Sequence, residues 1–251
     1  SINTATFSIE DDDDPPTVGF STTAITYGES QGSVTITAML SAASGIPSTS
    51  VSVSIDDAST VNSSDHDLTN TQTINYVAGS QTSTETVSFN ITQDIIDEPD
   101  TETLIVNLSS PNGLALDPDA SQIVITITDD DAQPTVSVSS TATGLESVAN
   151  PDVTVSLSAA SGRNVSVLYG STGGTATGGG TDYTLADGSV TIAANLDPPQ
   201  ATFDLAITDD VIDEIEETVI ITLSSPGNAT LGTTQLTYTI NDDDAAPSLA
   251  F

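Results

Sequence analysis

The chain has no cysteine, no tryptophan and no lysine, and Arg163 is its one strongly basic residue. Without cysteine there is neither a disulfide framework nor a thiolate metal site. A single guanidinium cannot make the Lys/Arg surface that phosphate binding needs, which excludes nucleic acid as a partner and disfavours an anionic membrane surface. His66 is the only histidine, so neither a His-dependent triad nor a His-rich transition-metal site can recur along the chain. Five Tyr and five Phe leave almost no aromatic platform for sugar, so carboxylate pairs do not read as a glycosidase. Nor is there a run of about 18 apolar residues, the signature of a membrane-spanning helix, so no direct membrane insertion is expected. Nothing at Ser1 resembles a signal peptide, and an export signal is expected to lie outside the chain.

What the chain has instead is acid: 36 Asp and Glu, for a formal net charge of −35. Solubility or a salty medium would spread such acids over the whole surface. Cation binding would cluster them. Serine and threonine together number 73 of the 251 residues, and the Thr- and Val-rich composition suits pleated strands better than helices.

The acids are clustered, and the clusters repeat. Runs reading DDDDPPT from Asp11, DDDAQPT from Asp129 and DDDAAPS from Asp242 start 118 and 113 residues apart. Between them TQDIIDEPDTETLIVNLSSP from Thr92 matches TDDVIDEIEETVIITLSSP from Thr208. SDHDL from Ser64 matches TDYTL from Thr181, and LSAASG occurs at Leu40 and at Leu157. Four landmarks in one order indicate a duplicated domain. The expected division is 15–131 and 132–244 as two repeats. Residues 1–14 would be the last strand of a preceding repeat, and 245–251 the start of a following one.

Within each repeat the apolar period is two. Val34, Ile36, Ala38 and Leu40 alternate with polar neighbours, as do Val51, Val53 and Ile55, and Val153, Val155 and Leu157. The same alternation runs through Val87–Ile91, Leu104–Leu108 and Ile123–Ile127, and through their counterparts Phe203–Ile207, Val219–Leu223 and Leu236–Ile240. With a strand after each proline and a short one near Tyr76 or Ile192, this predicts about seven strands per repeat. Each would have one apolar face, which makes the fold all-β: tandem immunoglobulin-like sandwiches of antiparallel strands. The Gly-rich run from Thr172 has no following Lys or helix, so it reads as a long loop and not as a phosphate cradle.

Calcium takes six to eight oxygen ligands, so several carboxylates must converge to hold it. Each repeat offers four acidic landmarks: a Glu after the opening strand, the Asp of the Asp-His or Asp-Tyr pair, an acidic turn, and the closing triplet. In a seven-stranded sandwich the first loop, that turn and the end of the last strand share one pole, beside the linker. The pattern resembles that of Calx-β domains, sandwich modules named from sodium–calcium exchangers and common in large bacterial surface proteins. The resemblance covers nearly the whole chain. It implies calcium as the bound ion, with ligands Glu29, Asp65, Asp94, Glu98, Asp129, Asp130 and Asp131 in the first repeat. In the second they are Glu146, Asp182, Asp209, Asp210, Glu214, Asp242, Asp243 and Asp244. Asp97 and Asp213 are assigned to the turn itself and not to the ion. The first repeat departs from the pattern twice: Gln93 stands where the second has Asp209, and His66, read as a surface histidine, replaces Tyr183. One carboxylate fewer predicts a weaker or smaller first site.

The resulting expectation is a non-enzymatic, calcium-stiffened stalk or fibre segment of a large bacterial extracellular or cell-surface protein. Its partners would be neighbouring repeats or other copies in a fibre. Two alternatives are a filament protomer assembled by lateral packing or strand exchange, and a calcium-sensing regulatory module. Five Asn-x-Ser/Thr sequons, at Asn62, Asn90, Asn107, Asn164 and Asn228, are close to what this composition yields by chance.

Overall fold

The computed structural model describes residues 6–10, 12–79, 84–147 and 150–250. Contacts divide the chain into two compact units, one of residues 1–94 and 100–130, the other of 95–99 and 131–251.

The first unit holds β1 (Thr17–Phe20), β2 (Ala24–Gly28), β3 (Ser33–Leu40), β4 (Thr49–Ile55), β5 (Gln72–Tyr76), β6 (Thr84–Asn90), β7 (Thr101–Asn112), β8 (Ala115–Leu116) and β9 (Gln122–Thr128). They form a four-stranded sheet ordered β6-β3-β1-β8 and a five-stranded sheet ordered β2-β9-β7-β4-β5. The opening strand is divided between the two. Its first half, β1, runs antiparallel to β3, whereas its second half, β2, runs parallel to β9. Period-two patterning placed the apolar face correctly but could not show this change of sheet, since both halves are short.

The second unit repeats the plan with β10 (Thr135–Ser139), β11 (Thr143–Leu145), β12 (Asp152–Leu157), β13 (Val165–Gly174), β14 (Tyr183–Thr184), β15 (Gly188–Ile192), β16 (Gln200–Asp204), β17 (Ala206–Ile207), β18 (Glu217–Gly227), β19 (Thr230–Leu231) and β20 (Gln235–Asn241). Its sheets are β16-β12-β10-β19 and β11-β20-β18-β13-β15, with a small β14-β17 pair beside them. The only helical element among the described residues is a one-turn 3-10 segment, Glu29–Gln31. Among the same residues no helix is long and apolar enough to cross a membrane.

Each unit has its own core, built from the alternating positions. Val34, Ile36, Leu104, Val106, Ile123 and Ile125 are buried in the first, and Val153, Val155, Val219, Ile221, Tyr238 and Ile240 in the second. Each such side chain contributes roughly 1.5–3 kcal/mol on burial, and the outward Ser and Thr keep the other face wet. Ile55 and Leu236 are half-buried at the core margin. The Gly-rich run does not begin as a loop: β13 extends through it to Gly174, paired with Val219. Gly174 has φ +119°, and a Cβ there would collide with the carbonyl oxygen of Thr218. Residues 6–10 and 245–250 are irregular; residues 1–5, 11 and 251 of the two expected end fragments lie outside the described residues.

Candidate metal centre

The register of the parallel ladders explains why the acids meet. In the second unit β11 pairs with β20 so that Leu145 lies opposite Asn241, and Glu146 N–H donates to the Asn241 carbonyl at 3.0 Å. The next residue on each strand is Glu146 and Asp242, so the Glu after the opening strand arrives beside the closing triplet. In the first unit β2 pairs with β9 up to Gly28 opposite Thr128, which brings Glu29 to Asp129 in the same way. The Asp of the Asp-Tyr pair is delivered by a different device. Tyr183 pairs with Ile207, and Thr208 N–H donates to the Asp182 carbonyl at 2.9 Å, which holds Asp182 at the head of the acidic turn.

Among the described residues of the second unit three sets of oxygens converge, each within 4.8 Å: Glu146, Asp210 and Asp244; Glu146, Asp209 and Asp243; and Asp182, Glu214 and Glu217. Glu146 is 5% exposed. Its Oε1 and the Oδ2 of Asp244 are buried and take no hydrogen bond from any N–H or hydroxyl; the two carboxyls bond only to each other, when one is protonated. Asp243 accepts from Ser147 Oγ at 2.7 Å, and Asp182 accepts from the Thr177 N–H. Asp242 joins none of these sets but adds its charge to the field at Glu146.

Repulsion and burial show in the proton affinities. Burial, followed by the charges of Asp242 and Asp244, pushes the Glu146 carboxyl up to about 7. Glu217 is also pushed up to about 7, by burial and then by its hydrogen bond and charge interaction with Asp182. Glu214 is raised by burial and then by neighbouring carboxylates; Asp244 is raised by burial, against a hydrogen bond with Glu146 that lowers it, and by the charges of Asp242, Asp243 and Asp210. Such a site holds protons that ordinary carboxylates would have released, and a cation at the same place relieves the same repulsion.

In the first unit Glu29 and Asp129 offer oxygens within 4.8 Å of each other, and so do Asp65 and Glu102. Asp65 is buried and accepts from Asn62 N–H at 2.8 Å and Ser64 Oγ at 2.9 Å. Glu102 is raised by burial and then by the charges of Asp65 and Asp129. Asp94 is fixed through its backbone, whose N–H donates to Glu29 Oε1 at 3.0 Å. Gln93 Nε2 donates to Asp130 Oδ1 at 3.3 Å and to the Asp94 carbonyl at 2.9 Å. Glu98 and Asp131 pack as members of the second unit.

Two members of these sets, Glu102 and Glu217, are not among the ligands that the sequence pattern implies. Each stands at the same place in its repeat, two residues before the first buried residue of the strand, Leu104 or Val219. That shared position was the available signal. His66 requires a correction: it is not a surface residue but 9% exposed, edge-on to Phe89 with centroids 6.5 Å apart. It pairs with Ile91 as Tyr183 does with Ile207, so its ring takes the inward place of the tyrosine. Burial lowers its proton affinity. Asp97 joins no carboxylate set among the described residues; it is buried and ion-paired to Arg163 Nη2 at 2.9 Å.

The donor atoms are all oxygens, most of them anionic, which is the chemistry of a hard divalent cation and not of zinc or copper. The buried oxygens of Glu146 and Asp244, with no N–H or hydroxyl donor, fit such an ion. Glu146, Asp209, Asp210, Asp243 and Asp244 would hold one such ion, and Asp182, Glu214 and Glu217 another.

A pair of antiparallel sandwiches, each with an acidic pole built by a parallel strand ladder, is therefore the class of molecule. The chain belongs to the Calx-beta domain family, whose pattern matches twice, at residues 11–131 and 129–244. Among solved structures it is similar to CBD12 from CALX1.2, with 18% identity over 84% of this chain and 80% of that one, at a TM-score of 0.41. The apo form of the Calx CBD1 domain matches at 16% identity over 47% of this chain and 100% of that one, at a TM-score of 0.41. The Yersinia pseudotuberculosis adhesin InvE matches at 13% identity over 89% of this chain and 58% of that one, at a TM-score of 0.33. No curated protein sequence matches the chain. The matched family is not a catalytic one.

Proposed function

We propose that the chain is a calcium-stiffened structural or adhesive segment of a bacterial extracellular or cell-surface repeat protein. The carrying observation is the second-unit pole, where the buried Glu146 Oε1 and Asp244 Oδ2 lack N–H or hydroxyl donors among converging carboxylates. Bound calcium would supply the positive charge that these oxygens need, and the closing triplet would be drawn onto its own repeat. Family membership and the all-oxygen donor set support calcium. Extracellular calcium-binding modules in general bind it at about 10⁻⁴–10⁻³ M, the range of ambient calcium outside cells. An ion that binds only the folded state stabilises it by mass action.

The first site is the weaker one in this reading, because Gln93 replaces a carboxylate and its amide already engages Asp130. Melting and small-angle scattering in calcium and in EGTA test the proposal. Chelation should lower the melting temperature and increase flexibility, and identical curves would sink it.

A further inference from the structure

Within the second compact unit, residues 95–99 sit against the loop between β12 and β13. Asp97 is 2% exposed and accepts from Arg163 Nη2 at 2.9 Å, from Arg163 Nε at 3.4 Å and from Ser161 Oγ at 3.1 Å. Its carbonyl accepts from Gly162 N–H at 2.9 Å, and Asp97 and Ser161 form an isolated parallel bridge. A Cβ on Gly162 would lie 2.9 Å from Glu98 Cγ, so the close approach uses the glycine. The acidic turn is a plug here, and the Ser-Gly-Arg loop is its seat.

Both parts occur a second time. Val211–Ile215 is the internal copy of Ile95–Pro99; its outer residues are exposed as Ile95 and Pro99 are, but Ile212 is 58% exposed where Ile96 is half-buried, and Asp213 is exposed where Asp97 is buried. With Ala245 and Pro247, the Val211–Asp213 part borders a cavity of about 310 Å³. Ser44-Gly45-Ile46 is the internal copy of Ser161-Gly162-Arg163 and has the same conformation. Ser44 Oγ accepts from Ile46 N–H at 3.2 Å as Ser161 Oγ accepts from Arg163 N–H at 3.1 Å. The Ser44 carbonyl accepts from Gly79 N–H, and that of Ser161 from Asn195 N–H, both at 2.8 Å. Beside the Ser44 loop lies a cavity of about 430 Å³, bounded by Asp13, Asp14, Pro15 and Pro16.

We propose that the Ile212–Asp213 part of this turn is a docking surface whose occupant is the Ser44–Ile46 loop of a second copy of this chain. The two surfaces differ, so the contact is heterologous and joins copies head to tail without closing. Ile212 supplies apolar area to Ile46, which is 43% exposed, while the Asp213 carbonyl takes the N–H of the exposed Gly45 as that of Asp97 takes the Gly162 N–H. Ile46 stands where Arg163 stands in the seated example, so Asp213 receives no cation, and the contact belongs to the weak, small-interface class. Mutual repulsion of chains at −35 opposes it further, and salt screens that term.

Sedimentation equilibrium of the full chain in about 0.3 M salt, in calcium and in EGTA, tests this. The parent should show weak association that strengthens with concentration. Ile46→Arg should tighten it by about tenfold by supplying the missing ion pair, and adding Asp213→Ala should remove that gain. Ile212→Ser with Asp213→Ser should abolish association, and neither change adds charge to the acidic turn. An Ile46→Arg chain that associates no more tightly than the parent overturns the proposal, and so does association that survives the double serine substitution. Loss of calcium stabilisation alone leaves these results unaltered, which separates this failure from failure of the functional reading.

Discussion

Arg163 and Asp97 form an ion pair at 2.9 Å in which the carboxylate is 2% exposed and the guanidinium is the chain's only one. Removing one partner of a buried pair leaves the other charge without compensation, which costs about 3–5 kcal/mol. Ser161 continues to donate to Asp97, so the lower end applies. Arg163→Ala is expected to destabilise the second unit by about 3 kcal/mol in urea denaturation. Asp97→Ala should cost less, because an Arg that is 18% exposed can turn to water. The double variant should cost less than the sum of the two.

The acidic pole makes stability depend on pH in a direction opposite to that of an ordinary salt-bridged protein. Glu146 and Glu217 both release their protons near 7 in the folded chain against an ordinary 4.5. Between those values the folded state binds more protons than the unfolded one, so stability falls as pH rises through the window. In EGTA the melting temperature should therefore be higher at about pH 5 than at about pH 7.5. Saturating calcium displaces the same protons and should flatten or reverse the slope, and calcium affinity should rise with pH up to about 7. Below about 6.5 a smaller opposing term enters, because burial lowers the proton affinity of His66 and favours its neutral ring.

Gln93→Asp would give the first repeat the carboxylate that the second has at Asp209. It removes the amide that donates to Asp130 and adds a negative oxygen donor. The expected outcome is a first-repeat calcium affinity raised by about tenfold, together with a lower melting temperature in EGTA from the added repulsion. Titration calorimetry on the parent and the variant measures both sites.

Gly174 tests the backbone geometry beside the pole. Its φ of +119° and the closeness of the Thr218 carbonyl oxygen leave no room for a side chain. Gly174→Ala should cost about 2 kcal/mol or more, read as a shift of the second unit's denaturation midpoint.

Much of the fold was legible because a strand buried on one face must alternate, and Val34-Ile36-Ala38 or Ile123-Ile125-Ile127 do so without ambiguity. The division of the opening strand between sheets was not legible. Thr17–Phe20 and Ala24–Gly28 are four and five residues long, and their partners, β3 and β9, are set by tertiary pairing. The acidic pole was visible as repeated landmarks, since the carboxylates recur at fixed places. Glu102 and Glu217 were hidden because an acid at the start of a strand reads as solvent-facing. Their part emerges only when the β7–β9 and β18–β20 ladders set them beside the triplets. Asp97 and Asp213 look equivalent in the sequence, yet one is buried against Arg163 and the other is exposed. That difference depends on which loop lies opposite, which no local pattern records.

The central claim is that the second-unit pole binds calcium through Glu146 and its neighbours. Titration calorimetry of the full chain with calcium chloride at about pH 7.5, on the parent and on Glu146→Gln with Asp244→Asn, tests it most directly. The account predicts saturable binding near about 10⁻⁴–10⁻³ M that is stronger in the second repeat and lost there in the double variant, with the fold retained. A parent that binds no calcium in this range, or a double variant that binds as the parent does, would contradict it.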